Sequence, residues 1–347
     1  MTDAPWRPAT RDGEHIVACV GETMVSFVPP DGSAQDTADT LNLDIAGAES
    51  NVAMYLAAHG ISARWISRLG DDAFGRRILA RVRAAGVDVS GTRTDPTRPT
   101  GLLFKDPVFK DPAFEDPAFE DPEADGRNGT KVTYYRRGSA ASAMDPALLD
   151  EPALRTATLW HFTGITPALS EDCRRLVESA LTGAHATVSF DVNYRPALWQ
   201  RPPVEPLHAL AQAADIVFVG LDEAQALWGA DLREPTDVRT LLPSPRILVV
   251  KDGPRSATAF FGDKHTSVPA LPVNVIEPVG AGDAFAAGFL AGLLQAEPID
   301  RCLRLGHITA ASALTVSSDH GPLPPRTTVD RHLGLSARDW AGTPLTA

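Results

Sequence analysis

Short apolar runs with strand character alternate with helical stretches along most of this chain of 347 residues. The strand-like runs cover residues 15–21, 64–69, 158–162, 187–191, 215–219 and 246–250. The helical stretches cover 51–59, 71–85, 171–181, 204–214, 222–228, 281–295 and 299–316. This alternation is typical of a mostly parallel sheet with helices on both faces, so we predict a doubly wound α/β fold.

Two stretches depart from the alternation, at about 23–46 and 97–140, because their strand-like segments have no helix between them. We expect them to pair as a small separate sheet. Four tandem pentads interrupt the second stretch at 105–124, each with an Asp-Pro pair, and together they carry two lysines and seven acidic residues. Regular proline excludes a helix and removes strand donors. The pentads therefore indicate either a duplicated, solvated loop or a functional element, which would be an extension of a lid or a subunit contact.

The composition of the chain argues against several classes of function and partner. The net charge is −12, which argues against nucleic acid as the main partner. The longest apolar run, 284–294, is too short to span a membrane, and the start of the chain lacks the pattern of a signal peptide. Three widely separated cysteines predict reduced, buried thiols, so we expect a cytoplasmic protein with no membrane partner.

The strongest local motif is Gly-Ala-Gly-Asp, residues 280–283, which follows a strand-like run at 273–276 and opens an apolar helix. The helix start offers unpaired N–H groups of Gly280, Ala281 and Gly282 to an anion, and Asp283 can accept a proton from a hydroxyl. The motif thus predicts a phosphoryl-transfer centre.

The alternative interpretation of residues 280–283 is a tight turn followed by an ordinary acidic residue at a helix start. A Walker A loop is absent, and Phe285 replaces the third glycine of a dinucleotide fingerprint.

Three motifs in order resemble the ribokinase-like (PfkB-type) sugar kinases. They are the glycine–asparagine segment at 46–53, the Gly-x-Asp-x-x-Gly stretch at 68–75 and the Gly-Ala-Gly-Asp-Ala-Phe signature at 280–285. The resemblance implies one ribokinase-like kinase domain at 14–337, with flexible tails at 1–13 and 338–347. It also implies that the small sheet forms a lid over a site at the carboxyl ends of the strands, and that the protein is a homo-oligomer.

Segments 134–143, 162–169 and 191–199 are most similar to 2-keto-3-deoxygluconate kinases. The resemblance implies ATP-dependent phosphorylation of this sugar acid on its 6-hydroxyl, with Asp283 as the general base. We expect an ordinary pKa to suffice for Asp283, because such a carboxylate is already ionised at pH 7. The Asp-x-Asn-x-Arg segment also occurs in fructokinases. A fructokinase or another neutral-sugar kinase is therefore the first alternative, and a non-catalytic sugar-acid sensor is the second.

The resemblance also assigns substrate-binding residues. Arg136 and Arg195 would bind the carboxylate, since guanidinium groups bind carboxylates in a fork. The remaining substrate positions are Gly47, Asn51, Tyr134 and Ile165. The alternatives are an exposed strand charge for Arg136 and an ion pair with Asp191 for Arg195. Leu103 stands where sugar-acid kinases tend to carry a tyrosine.

Nucleotide positions are implied in the same way at Asn193, Glu223, Lys251, Gly253, Ser256, Gly280, Gly282 and His307. Mg²⁺ is expected with the nucleotide, without a direct protein ligand, and Glu223 would act on it through water. Several positions depart from the family pattern. Gly220 and His307 stand where asparagine is usual, Ser256 replaces a glycine, and Glu277 replaces an aspartate.

Overall fold

The structure, a computed structural model, describes residues 8–10, 13–107, 130–183, 185–199 and 201–345. Nearly all of the pentad block lies outside the described residues, as does most of the expected N-terminal tail. The expectations for these two segments therefore remain predictions.

Fourteen β-strands are present in the described ranges. In chain order they are β1 (Ile16–Val20), β2 (Met24–Val28), β3 (Asn42–Ala46), β4 (Ser62–Ile66), β5 (Arg68–Gly70), β6 (Arg93–Asp95), β7 (Leu102–Pro107), β8 (Thr130–Tyr135), β9 (Leu159–Thr163), β10 (Thr187–Asp191), β11 (Ile216–Gly220), β12 (Ile247–Asp252), β13 (Ser256–Phe261) and β14 (Lys264–Pro269).

The described α-helices are α1 (Ala48–Ala58), α2 (Ala73–Ala84), α3 (Pro152–Arg155), α4 (Glu171–Gly183), α5 (Val204–Ala213), α6 (Leu221–Trp228), α7 (Pro235–Leu241), α8 (Ala281–Leu294), α9 (Ile299–Leu314), α10 (Arg326–Leu333) and α11 (Ala337–Trp340). Within the described ranges, every helix is too short or too polar to cross a bilayer.

The large sheet has eight strands in the order β14-β13-β12-β11-β10-β9-β1-β4. The six strands from β12 to β4 are parallel, and the β13–β14 hairpin is added antiparallel at one edge. Side chains of β1 alternate between two cores. Val17 and Cys19 pack with α1, α8 and α9, whereas Ala18 and Val20 pack with α4 and α5. The predicted doubly wound fold is confirmed.

The predicted small sheet is also present, with four strands in the order β3-β2-β7-β8. We call it the lid. One lid face presents Met24, Leu103, Val132 and Tyr134, which pack together. The connection from β7 to β8 runs through the pentads, and the first three residues of the block, 105–107, form the end of the lid strand β7.

Several sequence predictions need correction. The run at 273–276 is not a strand, and Val275 and Ile276 are exposed there. The predicted strand at 64–69 divides into β4 and β5. The C-terminal tail does not begin at 338, because Trp340 is buried and its indole N–H donates to the carbonyl of Pro269 at 2.8 Å. The three cysteines are buried thiols, as expected, and no disulfide joins them.

Close packing of α8 on α9 fixes the position of the helix that carries the Gly-Ala-Gly-Asp motif. A Cβ atom added to Gly288 would lie 2.4 Å from Thr309 Oγ1 and 2.5 Å from the Leu305 carbonyl oxygen. Only glycine allows the two backbones to approach this closely.

Gly288→Ala should therefore lower the free energy of unfolding by roughly 1–3 kcal/mol, because overpacking outweighs the better helix propensity of alanine. Chemical denaturation measures this change. Gly183→Ala is the matched control, since its added Cβ meets open space at the end of α4. Equal stability of the Gly288 variant and the parent would contradict the packing argument.

Candidate active site

Asp283 lies in the first turn of α8, at the carboxyl ends of the parallel strands. The helix begins after Gly280, whose φ of 83° is left-handed. A Cβ atom at Gly280 would lie 2.5 Å from the carbonyl oxygen of Asp319. This position therefore requires glycine for both its backbone conformation and its close approach to the segment after α9.

Two amide side chains hold the Asp283 carboxylate. Asn51 on α1 donates through Nδ2 to Oδ2 at 3.0 Å, and Asn193, just after β10, donates through Nδ2 to Oδ1 at 3.2 Å. Asn193 has a left-handed φ of 38°. Three distant parts of the chain thus meet at one carboxylate.

Burial raises the pKa of Asp283 to about 7, because removal from water disfavours the charged form. The hydrogen bond from Asn51 and the nearby cations oppose the rise, and the charge of Asp191 adds to it. The expectation of an ordinary pKa is wrong, because the sequence did not reveal how deeply the carboxylate is buried. A pKa near 7 suits a general base at neutral pH.

A half-buried lysine lies on the other side of the motif. Lys251 Nζ pairs with Asp191 Oδ2 at 2.8 Å, and a Cβ at Gly282 would lie 3.3 Å from the same Nζ. Burial alone lowers the pKa of Lys251, but the carboxylates of Asp191 and Glu223 outweigh it and raise the pKa. Lys251 is therefore a fixed positive charge beside the Gly-Ala-Gly turn.

A narrow cavity of about 90 Å³ separates the lid from Asp283. Three cations line it, and each has a carboxylate nearby. Lys105 Nζ lies 2.5 Å from Asp319 Oδ1, Arg136 Nη2 lies 2.5 Å from Glu22 Oε2, and Arg195 Nη1 lies 3.8 Å from Glu223 Oε1. The cavity is polar but nearly charge-balanced.

The structure places most of the sequence-predicted site residues around this cavity. Those that line it are Gly47, Asn51, Tyr134, Arg136, Ile165, Asn193, Arg195, Gly280 and Asp283. Ala281 and Gly282 lie in the same turn as Asp283. Arg136 is not the exposed charge of the alternative interpretation, and Asp191 pairs with Lys251 rather than with Arg195.

Six predicted nucleotide residues are absent from the cavity lining, namely Glu223, Lys251, Gly253, Ser256, Gly282 and His307. Gly253 lies in the turn between β12 and β13, and Ser256 is the first residue of β13. His307 is packed between the rings of Phe285 and Trp340, and its Nε2 lies 3.1 Å from the Val268 carbonyl oxygen. Burial lowers the pKa of His307 to about 4, so the ring is neutral at pH 7. In this structure it is a core residue.

Three charged residues in the cavity wall were not predicted from the sequence, namely Glu22, Lys105 and Asp319. Lys105 lies two residues after Leu103 on the same buried side of β7, so the alternation of strand side chains could have indicated it. Glu22 lies between β1 and β2, and Asp319 lies after α9, where no local pattern marks them.

The oxygen atoms near Asp283 are suited to a Mg²⁺ ion that binds together with a polyphosphate. Mg²⁺ prefers oxygen ligands and keeps several waters. No cluster of three or more histidine, cysteine or acidic side chains that could hold a metal occurs within the described ranges. Asp191 and Glu223 supply carboxylates close to Lys251, and in the described chain the buried Asn193 Oδ1 has no partner. These oxygens suit contact through water rather than a cage of protein ligands.

Comparisons with protein families, curated sequences and solved structures all find similarity to sugar kinases. The profile of the pfkB family carbohydrate kinase matches residues 15–106 and 123–326, and its gap falls within the pentad block. The chain is 33% identical to 2-dehydro-3-deoxygluconokinase of Bacillus subtilis, over 88% of this chain and 91% of that protein. It is 29% identical to probable fructokinase-7 of Arabidopsis thaliana, over 92% of each chain. The crystal structure of fructokinase with bound ATP from Xylella fastidiosa matches with a TM-score of 0.75 and 23% identity, covering 91% of this chain and 97% of that one.

The contact between Asn51 and Asp283 can be tested directly. Asn51→Leu removes the amide donor that stabilises the ionised carboxylate, so the pKa of Asp283 should rise above 7 by about 1 unit. Carbon-13 NMR titration of labelled aspartate measures this pKa. Asn274→Leu, at an exposed position, is the control. An unchanged or lower pKa in the Asn51 variant would refute the assigned hydrogen bond.

Proposed function

We propose that this chain, which belongs to the pfkB family of carbohydrate kinases, phosphorylates 2-keto-3-deoxy-D-gluconate on its 6-hydroxyl with ATP. As a member of that family it is a phosphotransferase with an alcohol group as acceptor. The sugar acid, the nucleotide and the position of phosphorylation are the proposed parts.

One observation carries the choice of a sugar acid. Arg136 and Arg195 both line the cavity that Asp283 lines. A guanidinium stays charged at any working pH and can bind a carboxylate through two parallel hydrogen bonds. A neutral sugar offers nothing that needs two arginines, whereas a keto-deoxy sugar acid has a carboxylate at one end and a primary hydroxyl at the other.

The chemistry follows from the position of Asp283. Its carboxylate accepts the proton of the sugar 6-hydroxyl as that oxygen attacks the γ-phosphorus of ATP. The bond from the γ-phosphorus to the bridging oxygen breaks, and ADP leaves. The N–H groups of Gly280 and Gly282 and the ammonium of Lys251 would stabilise the negative charge that spreads over the transferred group. The Ala281 N–H, expected to be unpaired, instead donates to the Pro278 carbonyl oxygen at 3.3 Å.

The nucleotide assignment is supported by a protein of the same fold. The fructokinase from Xylella fastidiosa, which shares the fold, was solved with bound ATP. Glu223 and Asp191 would hold Mg²⁺ through water, and the ion would supply neutralisation of the phosphate charge. Gly253, Ser256 and His307 remain family-based expectations for the nucleotide side.

A fructokinase activity is the second candidate. The observation that favours it is the charge balance of the cavity, because Glu22, Asp319 and Glu223 already neutralise much of the positive charge. The similarity to a plant fructokinase supports it as well.

A non-catalytic sensor is disfavoured, because a sensor has no need of a buried carboxylate whose pKa is near 7. We also propose a cytoplasmic location, where ATP is supplied, and a homo-oligomer.

The role of Asp283 predicts both a mutational and a pH effect. Asp283→Asn should lower kcat by roughly 10²–10⁴. With the unmodified protein, kcat/KM should rise about tenfold per pH unit until pH reaches about 7 and then level off, because only the deprotonated carboxylate is active. Coupled ADP-release assays measure both. Near-normal turnover of the Asp283 variant would overturn its assignment as the base.

Recognition of the carboxylate predicts a difference between substrates. Arg195→Ala should lower kcat/KM for 2-keto-3-deoxygluconate by roughly 10–100-fold, since a charged hydrogen bond is lost, and should change that for fructose much less. Parallel kinetics on both substrates measure the ratio. Arg326→Ala, on the exposed side of α10, is the control. Equal losses on both substrates would favour the fructokinase.

A further inference from the structure

Glu22 lies where the chain passes from the core sheet to the lid, between the end of β1 and the start of β2. Its side chain is only 2% exposed. Three other segments of the chain connect the core and the lid, and all three come close to Glu22. We call these connections passages. A Cβ at Gly47 would lie 2.5 Å from the Glu22 carbonyl oxygen, and one at Gly101 would lie 2.8 Å from its Oε1. The fourth passage, after β8, carries Arg136 and Ser139.

The Glu22 carboxylate contacts both residues of that fourth passage. Ser139 Oγ donates to Oε1 at 2.5 Å, and Arg136 Nε donates to Oε2 at 2.6 Å. Arg136 Nη2 also lies 2.5 Å from Oε2. One edge of the guanidinium is therefore fixed. For Nη1, no protein acceptor is found in the described part of the chain.

Orientation matters for an arginine in this position. Its long side chain carries about 2 kcal/mol of rotamer entropy, so an unrestrained guanidinium loses freedom when a ligand binds. Removing one partner of a buried pair also leaves the other charge uncompensated. Glu22 compensates the charge of Arg136 before substrate binds, and it also holds the plane of the Arg136 guanidinium in a fixed orientation.

We propose that Glu22 is the positioning residue of Arg136, which fixes the guanidinium so that its Nη1 end is available to the substrate carboxylate. The proposal rests on the proposed sugar-acid kinase activity and deepens it. Glu22 itself touches no reacting atom. It sets the affinity for carboxylate substrates and leaves the phosphoryl transfer at Asp283 unaffected.

The test is a kinetic double-mutant cycle on the full-length protein with 2-keto-3-deoxygluconate and with fructose. Glu22→Ala should raise KM for the sugar acid about 10-fold and change kcat less than about 3-fold, because a charged hydrogen bond is lost in binding only. Glu22→Gln keeps an acceptor oxygen for Nε and Nη2, so KM should return to within about 3-fold of the parent. In an Arg136→Ala background, Glu22→Ala should have no further effect.

Glu151→Ala is the matched control. Glu151 binds Nε and Nη2 of Arg93 at 2.7 Å each, in a similar pair that is absent from the cavity lining. It should leave KM for both substrates unchanged. Where Glu22→Ala fails to fold, Ser139→Ala decides instead, since it loosens Glu22 alone and should raise KM for the sugar acid about 3-fold.

The proposal is overturned by an unchanged or lower KM for the sugar acid, by an equal rise for fructose, or by an undiminished effect in the Arg136→Ala background. Failure of the proposed function gives a different result, in which the unmodified protein phosphorylates fructose but not the sugar acid. The cycle is then measured with fructose. Coupling between the two residues in KM for fructose would retain Glu22 as the positioning residue of Arg136 but would overturn the role of the substrate carboxylate, and absence of coupling would overturn the positioning role as well.

Discussion

The site depends on one buried carboxylate, that of Asp283, held between amide groups from two distant parts of the chain. Asn51 and Asn193 donate to its two oxygens, and Gly280 starts its helix in a conformation that only glycine adopts easily. The parallel sheet makes this meeting possible, because the segments that leave the carboxyl ends of its strands converge at one edge. Burial then raises the pKa of the carboxylate to about 7, which places a proton acceptor at neutral pH.

The electrostatics of the site depend on the local arrangement of charged side chains and not on the net charge of −12. Lys105, Arg136 and Lys251 are each paired with a buried carboxylate. Such pairs cost desolvation, but they keep cations in fixed positions until an anion arrives. The overall acidity argued against nucleic acid as a partner, but it carries no information about which anion the cavity accepts.

The order of strands and helices and the motif at 280–283 were predictable, since apolar periodicity and glycine spacing are local signals. Gly47, Arg136 and Arg195 were found through resemblance, and all three line the cavity. Glu22 and Asp319 could not be predicted, because their roles arise from contacts with residues 114 to 214 positions away. The strand-like run at 273–276 was misleading, since two of its three apolar residues, Val275 and Ile276, are exposed and the run is not paired in a sheet.

The measurement that tests the account most directly is a competition between two acceptors. The unmodified protein, ATP and Mg²⁺ are mixed with equal concentrations of 2-keto-3-deoxygluconate and fructose, and phosphorus-31 NMR identifies the phosphorylated product. The account predicts that the sugar acid is phosphorylated first, with the phosphorus coupled to the two protons on carbon 6. Preferential formation of fructose phosphate, or a phosphate at another position of the sugar acid, would contradict it.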